Sequence, residues 1–326
     1  MCKVSVVMPA YNCARFIGEA MTSVLSQTET DLELIVINDG STDATLEIVK
    51  SIATTDSRVR VLSQPNSGKP SIARNRGLEQ AAGEFICFLD GDDVYRSRKI
   101  QEGLEVFRKH PSIQLVFHDV KFIDEAGIEQ LTTYLKSVGF AEKVLPSSRR
   151  LYESMFICNE RSLFFFMCTT VTTILMSSVL IRRKRLTAEG VFFPENLTIG
   201  EDIDLWFRLV LPGGVAYMDQ PLSSYRLYAT SVTKRPDRNL CDPVLAHIKN
   251  YGRTAGFLDE WQRREYRRRI AQDLFDIGYT FSGQGRHQEA LRLYIQSLRW
   301  RIAMGPLKGI VKSAVWGRLP KSQVDR

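Results

Sequence analysis

Over the first hundred residues the hydrophobic pattern switches repeatedly between short continuous apolar runs and a helical spacing, and few folds accept that alternation. Val4 to Met8 is such a run, β-branched in part, of the kind a buried parallel strand presents. Phe16, Ile17, Ala20, Met21, Val24 and Leu25 follow at spacings that place them on one helical face. Leu32 to Ile37 reads as a second strand ending at Asn38-Asp39-Gly40, and Ser41-Thr42-Asp43 supplies capping groups for the next helix. Val59 to Leu62 is a third strand, Ser71 to Ala82 a helix stopped by Gly83, Phe85 to Leu89 a fourth strand, and Lys99 to Phe107 is helical again. This order predicts an α/β fold with a mostly parallel sheet and helices on both faces. Sheets of this type bind ligands beyond the carboxyl ends of their strands. Here those ends are Pro9 to Asn12, Asp39 to Ser41, Gln64 to Lys69 and Asp90 to Asp93.

The residue types at those ends point to a metal-bridged phosphate. Asp90-Gly91-Asp92 puts two carboxylates, separated by a small residue, directly after an apolar strand. A magnesium ion takes few hard oxygen ligands from protein and leaves the rest of its shell to water and phosphate. Asp39 ends the neighbouring strand and can accept hydrogen bonds from a base or a ribose; its other reading is a helix cap shared with Ser41. No Gly-x-Gly-x-x-Gly follows the first strand, which removes the usual dinucleotide fingerprint, and no Walker lysine loop is present. The phosphates must then be neutralised by metal and by basic side chains, for which Lys69, Arg74 and Arg76 are candidates.

The rest of the chain is less regular. Ile113 to Phe117 and Leu175 to Ile181 read as strands, Gly200 to Leu211 as a helix with Glu201, Asp202 and Asp204 in its first turn, and Val215 to Met218 as a short strand. The longest apolar stretch, Leu163 to Ile181, precedes a basic cluster but is interrupted by Thr169, Thr170, Thr172, Thr173, Ser177 and Ser178, so a buried helix plus strand fits better than a membrane span. Phe164, Phe165 and Phe166 read as core, with a platform for sugar or lipid as the other reading. From about Cys241 the pattern is helical and Arg-rich. Leu274 to Leu298 resembles one tetratricopeptide unit, but a single unit does not make a repeat fold, and a helix pair packed on the catalytic domain is the plainer expectation.

Net charge is +7, which suits an anionic partner, although Arg263, Arg264, Arg267, Arg268 and Arg269 concentrate part of it near the C-terminus, where a solvated helix face is the simplest reading. Six cysteines show no zinc or CxxC spacing and read as reduced thiols of a cytoplasmic protein. Lys3 leads straight into the first strand, with no room for a signal peptide. The tail from Trp300 to Lys321 mixes Trp300, Ile302, Met304, Leu307, Ile310, Val311, Val315 and Trp316 with Arg301, Lys308, Lys312 and Arg318, the composition of an interfacial amphipathic segment on the inner face of the plasma membrane; packing on the catalytic domain is the alternative. No nucleic-acid-binding module is recognisable.

Five segments in order carry a specific resemblance: Val-Val-Met-Pro-Ala-Tyr-Asn at 6–12, Glu33 to Asp43, Gln64-Pro-Asn-Ser-Gly68, Ala73-Arg-Asn-Arg-Gly77 and Phe88-Leu-Asp-Gly-Asp-Asp93. Together they are similar to family 2 glycosyltransferases of the GT-A fold, a Rossmann-like nucleotide-diphospho-sugar transferase architecture, over about residues 3–235. The resemblance implies a transferase domain over 1–236, with a donor-binding half over 1–112 and an acceptor half over 113–236, followed by a helical region over 237–326. It implies that Pro9, Ala10, Tyr11 and Asn12 line a nucleotide pocket, that Asp39 contacts the base, that Arg74 and Asn75 shape the pocket, and that Asp90 approaches the ribose. Asp92, with Asp90, would hold Mg2+ or Mn2+. Tyr11 as a packing aromatic is the bland alternative.

Gly200-Glu201-Asp202 is similar to the family's second carboxylate motif, which supplies the base. Asp202 is the expected base, ionised at neutral pH at its ordinary pKa of about 3.9, with Glu201 the rival and Asp204 capping or docking the helix. The family often carries Tyr-Arg-x-His after the last strand, contacting the diphosphate; here the segment is Tyr225-Arg226-Leu227-Tyr228, so Arg226 matches and Tyr228 stands where histidine is common. The implied function is an inverting transfer of a sugar from a nucleotide diphosphate, with uridine as the base, to a hydroxyl of a saccharide or lipid-linked glycan in polysaccharide or cell-envelope synthesis. An inactive nucleotide- or glycan-binding module of the same fold is the competing reading, weakened by the joint presence of Asp39, Asp90, Asp92 and Asp202. A nucleotidyltransferase would be expected to carry a Gly-rich loop where Pro9-Ala10-Tyr11-Asn12 stands.

Overall fold

A computed structural model describes residues 2–152, 154–170, 174–187, 190, 192–229 and 240–316. The chain divides into two compact units, Met1–Arg238 and Asn239–Arg326.

The first unit is built on an eleven-stranded mixed sheet. Its strands are β1 (Val4–Ala10), β2 (Leu32–Asp39), β3 (Val59–Gln64), β4 (Phe85–Phe88), β5 (Val94–Tyr95), β6 (Leu115–Ile123), β7 (Glu129–Thr133), β8 (Arg149–Tyr152), β9 (Met155–Ile157), β10 (Val179–Arg182) and β11 (Val215–Arg226). The order is β3-β2-β1-β4-β10-β6-β11-β9-β8, with β5 paired to β11 and β7 to β6. The long ladders, β1 with β2 and β4, β2 with β3, and β6 with β11, are parallel; the antiparallel pairings are short. This is the expected mixed, mostly parallel sheet, with β10 inserted antiparallel between β4 and β6.

The sequence pattern explains the first half of this unit. Every residue of β2 is buried, as a strand covered on both faces requires. The helix Ile17–Leu25 buries Ile17, Ala20, Met21 and Val24, its predicted face; each such side chain contributes roughly 1.5–3 kcal/mol when fully withdrawn from water. The helix Pro70–Gln80 behaves differently, because it buries Ser71, Ala73, Arg74, Asn75 and Gly77 instead of an apolar stripe. A Cβ at Gly77 would lie 2.4 Å from Val7 Cγ1 and 2.8 Å from Ile37 Cδ1. Only glycine lets this helix come so close to the sheet, and the close approach carries two polar side chains inward with it.

The apolar stretch 163–181 resolves, over its described residues, into the buried helix Glu160–Thr169 and strand β10; Thr172 and Thr173 lie outside the described residues. Phe164 and Phe166 are core. Strand β11 runs much further than its expected Val215–Met218 core. Its pairing with β6 shifts register on either side of Pro221, where a ladder donor is missing, and resumes at Ser223. The continuation delivers Arg226 to the end of β4.

In the second unit, helices Asp242–Thr254, Glu260–Gly283, His287–Trp300 and Met304–Trp316 follow one another. Asp259 and Gln262 form a capping box at the start of the long helix. Gly278 lies where a Cβ would be 2.9 Å from Tyr294, and Ser297 Oγ donates to Ala271 O at 2.7 Å, so the two central helices form a tight hairpin. Among the described residues no helix is long and apolar enough to cross a membrane.

Candidate active site

The site lies where β1, β2 and β4 end. After β1, Asn12 takes φ +47°, an orientation asparagine tolerates. Its side-chain oxygen accepts from Thr42 N at 2.8 Å and its amide donates to Thr42 Oγ1 at 3.2 Å, while its backbone N–H donates to Ser41 Oγ. Asn12 thereby clips the β1 loop to the β2 loop and leaves Tyr11 42% exposed, outside the core. The packing alternative for Tyr11 is not what the fold uses.

Asp39 ends β2 and accepts from Gln64 Nε2 at 2.6 Å, Ser67 N at 3.0 Å and Ser67 Oγ at 2.8 Å. It pins the 64–68 loop and does not cap a helix with Ser41. The cap-like contacts belong to neighbours: Ser41 N donates to Asn38, and Thr45 N and Ala14 N donate to Asp43.

Arg74 is the centre of the arrangement. It is 4% exposed, and its guanidinium donates to Asp90 Oδ1 at 2.7 Å and to Glu201 Oε1 at 2.6 Å. One side chain therefore joins the end of β4 to the start of the helix Glu201–Val210, two places 111 positions apart in the chain. These short, charge-assisted contacts, one to each carboxylate, belong to the strong class of hydrogen bond. Asn75, next along the helix, clamps another remote segment. It donates to Phe193 O and Glu195 Oε1, each at 3.0 Å, and accepts from Phe193 N at 2.9 Å. Lys69 donates to Glu195 O, and Arg76 to Ser63 O and Gln64 Oε1, so neither basic candidate is directed at the carboxylates.

Asp92 is half-buried and accepts from the Tyr228 hydroxyl at 2.7 Å. Burial first, then the charge of Asp90, pushes its carboxyl up to about 6. Asp93 is fully buried, accepts from Arg226 N, and is pushed well above the usual carboxylate range by burial and by the two aspartates before it. Gly91 is required between them, since a Cβ there would sit 2.8 Å from Cys13 Sγ.

Asp202 sits in the first turn of its helix and accepts from Ile203 N at 2.8 Å. Burial, then the neighbouring charge of Glu201, raises its carboxyl to about 7. The ordinary value expected from the sequence is therefore not the one the fold gives it. Glu201, also raised by burial, is engaged by Arg74. Asp204 pairs with Arg208 on its own helix at 2.9 Å, the docking role.

Arg226, which the resemblance links to the diphosphate, is engaged within the fold. It is 2% exposed. Its guanidinium donates to Asp92 O, Asp124 O and Glu19 Oε2, and stacks over Phe16 at 4.6 Å. It braces the backbone that carries Asp92. Glu19 and Asp93 as its partners, and Tyr228 as the partner of Asp92, have no local sequence signal beyond proximity to a motif, because each pairing is across the fold.

Asp90, Asp92, Glu201 and Asp202 thus share one electrostatic site, with Asp90 acting on both Asp92 and Asp202. Among the described residues, no three His, Cys, Asp or Glu side chains form a metal cage. The available donor set, a carboxylate pair whose mutual repulsion a cation would relieve, fits an ion that draws its other ligands from a diphosphate and water.

An α/β sheet of this order, with acidic groups after β2 and β4 and at the start of the helix Glu201–Val210, has the architecture of the GT-A fold. The glycosyl transferase family 2 profile matches residues 5–179, and the chain belongs to that family. An uncharacterised glycosyltransferase of Rickettsia felis is 32% identical over 76% of this chain, which spans 37% of that relative's length. Chondroitin synthase of Pasteurella multocida is 40% identical over 38% of this chain and 13% of its own. The crystal structure of S. aureus TarS 1–349 in complex with UDP-GlcNAc matches with a TM-score of 0.66 at 19% identity, covering 95% of this chain and 89% of that one.

Proposed function

We propose that the chain transfers a sugar, with inversion, from a nucleotide diphosphate to an acceptor hydroxyl, and that Asp202 is the base. The observation that carries this is the Arg74 bridge, which holds Asp90 and Glu201 to one guanidinium and so sets Asp202 opposite the carboxylates of β4. A base works best with a pKa near the operating pH, and a carboxyl raised to about 7 meets that requirement.

In the transfer, Asp202 accepts the acceptor's hydroxyl proton as that oxygen bonds to the anomeric carbon. The bond from this carbon to the phosphate oxygen breaks, and the diphosphate leaves with the electron pair. A magnesium or manganese ion held by Asp92 with Asp90 would stabilise the charge on the departing diphosphate. Asp39 and the loops after β1 and β3 form the nucleotide side, with Pro9, Ala10, Tyr11 and Asn12 lining it and Arg74 and Asn75 supporting it. A UDP-linked donor is supported by the fold shared with a protein crystallised with UDP-GlcNAc. A polysaccharide or envelope glycan acceptor is supported by likeness to a chondroitin synthase.

The second unit is read as a peripheral contact with the inner membrane surface, a role that suits the exposure of Ile302, Met304, Leu307 and Val311; Arg318 and Lys321 of the tail lie outside the described residues. A panel of nucleotide sugars screened for manganese-dependent hydrolysis identifies the donor. Wild-type turnover in both Asp92→Ala and Asp202→Ala would refute the assignment.

A further inference from the structure

The second unit contains a cavity of about 740 Å³ that has no part in sugar transfer as described above. Three aromatic side chains line it: Tyr251, Trp261 and Trp300. Tyr251 and Trp300 meet edge to face at 5.1 Å, and Trp261 is 55% exposed. Arg263, Arg264, Arg267 and Arg301 line the same space, against the single carboxylate of Glu260.

The arginines of the long helix are not equivalent. Arg268 pairs with Glu265 and Arg269 with Asp273, so those two charges are balanced within the helix. Arg263 has one contact to Ala255 O at 3.4 Å, while Arg264 and Arg267, on the cavity side, have no ion pair among the described residues. A solvated basic face needs no such sorting. Four guanidiniums gathered beside aromatic rings have the chemistry of an anion site, and their forked donors match phosphate oxygens.

The chain leads from this cavity directly to an apolar surface. Arg301 is followed by Ile302, 84% exposed, and by Met304, Leu307 and Val311, all exposed and spaced to share one face of the helix Met304–Trp316. The opposite face is held inward, with Gly305 against Phe275 and Gly309 against Tyr294. A cationic, Trp-lined cavity next to an outward apolar helix face has the chemistry of a bilayer interface, where Trp and Arg take the headgroup level and apolar side chains the acyl boundary. We propose that this cavity binds the phosphate of an anionic lipid headgroup. The inference rests on the peripheral-membrane reading of the second unit, and it moves recognition of the headgroup from the tail to the helices Asp242–Thr254 and Glu260–Gly283.

The test uses the full chain in co-sedimentation with phosphatidylcholine vesicles, with and without phosphatidylglycerol. Wild type is expected to bind only the anionic vesicles. Each basic residue near an anionic leaflet changes affinity about fivefold, so Arg264→Ala with Arg267→Ala should weaken binding by more than tenfold while the far-ultraviolet circular dichroism is unchanged. Met304→Ser with Leu307→Ser should weaken binding as well and leave the preference for anionic vesicles in place. Anionic binding by the double arginine variant equal to wild type would overturn this inference and leave the membrane reading standing. Failure of wild type to bind either vesicle would overturn both. Arginine-dependent binding of glycerol phosphate without vesicle binding would assign the cavity to a soluble phosphate ester and overturn the lipid proposal.

Discussion

Two acidic pairs face the site, Asp90 with Asp92 after β4 and Glu201 with Asp202 at the start of the helix Glu201–Val210. They differ in backbone and share an electrostatic plan. In each pair one member is held by Arg74, at 2.7 Å for Asp90 and 2.6 Å for Glu201, and the other makes no direct ion pair among the described residues. The unheld members, Asp92 and Asp202, are raised to about 6 and about 7. One buried cation thus fixes the geometry through Asp90 and Glu201, while Asp92 and Asp202, to which the metal and base roles are proposed above, lie outside its direct hydrogen bonds. The pairs part ways in their hydrogen bonds: Asp92 accepts from Tyr228 across the fold, and Asp202, among the described residues, from the amide that follows it.

The largest effect should come from removing the unheld members. Asp202→Asn is expected to lower kcat by roughly 10²–10⁴-fold, the usual contribution of a positioned base, with Asp92→Asn comparably damaging. Thermal melting should show both folded, and the melting temperature in the absence of ligand should hold or rise, because each substitution removes a desolvated charge. Loss of folding in Asp202→Asn would break the comparison by making that residue structural.

Arg74→Met should damage both pairs together. Breaking a buried ion pair costs roughly 3–5 kcal/mol, measurable by urea unfolding at pH 8. The cost should shrink at pH 5, where Glu201 and Asp202 can take up protons. Arg74→Lys should not restore activity, since one ammonium cannot reach both carboxylates in a forked geometry.

The pH dependence sharpens the same point by moving stability and activity in opposite directions. Asp202 has a folded pKa of about 7 against an ordinary 3.8. Between those values the folded chain binds more protons than the unfolded one, so this contribution to stability is complete below about 4 and is lost as pH rises through about 7. Activity needs the ionised base, so kcat/KM should climb through the same pH. A flat kcat/KM between pH 5 and 8 would exclude Asp202 as the base.

Smaller effects are expected at the cross-fold supports. Tyr228→Phe removes the hydrogen bond that lowers the Asp92 carboxyl and should raise it further, weakening manganese binding about tenfold, the scale of one hydrogen bond to a charged group. Asp39→Asn releases the loop contacts of Gln64 and Ser67 and should raise the donor KM several-fold with kcat little changed.

Much of the first half of the sheet was legible in the sequence because it is local. Strands β1 to β4, the helices between them and the acidic residues at their ends follow from periodicity and from turn residues within a few positions. Helix Pro70–Gln80 was legible as a helix, but its inward Arg74 and Asn75 depend on a glycine packed against Val7 and Ile37. The second half was read less well. Strands β5, β7, β8 and β9 are two to five residues long, too short to show a period. β11 hides its length behind Pro221. Arg226 was legible as part of a motif, but its partners were not, since Glu19 and the Asp92 carbonyl that hold it lie 207 and 134 residues away.

The sequence alone determined the alternation of elements, hence a mostly parallel sheet with its polar residues at the strand ends, because hydrophobic period and chain direction are properties of neighbouring residues. Only the tertiary structure decided which carboxylates Arg74 engages, which are left to titrate near neutral pH, and that Arg226 is a brace. Those outcomes depend on burial and on charges brought together from distant segments, and desolvation has no value until the fold has removed the water.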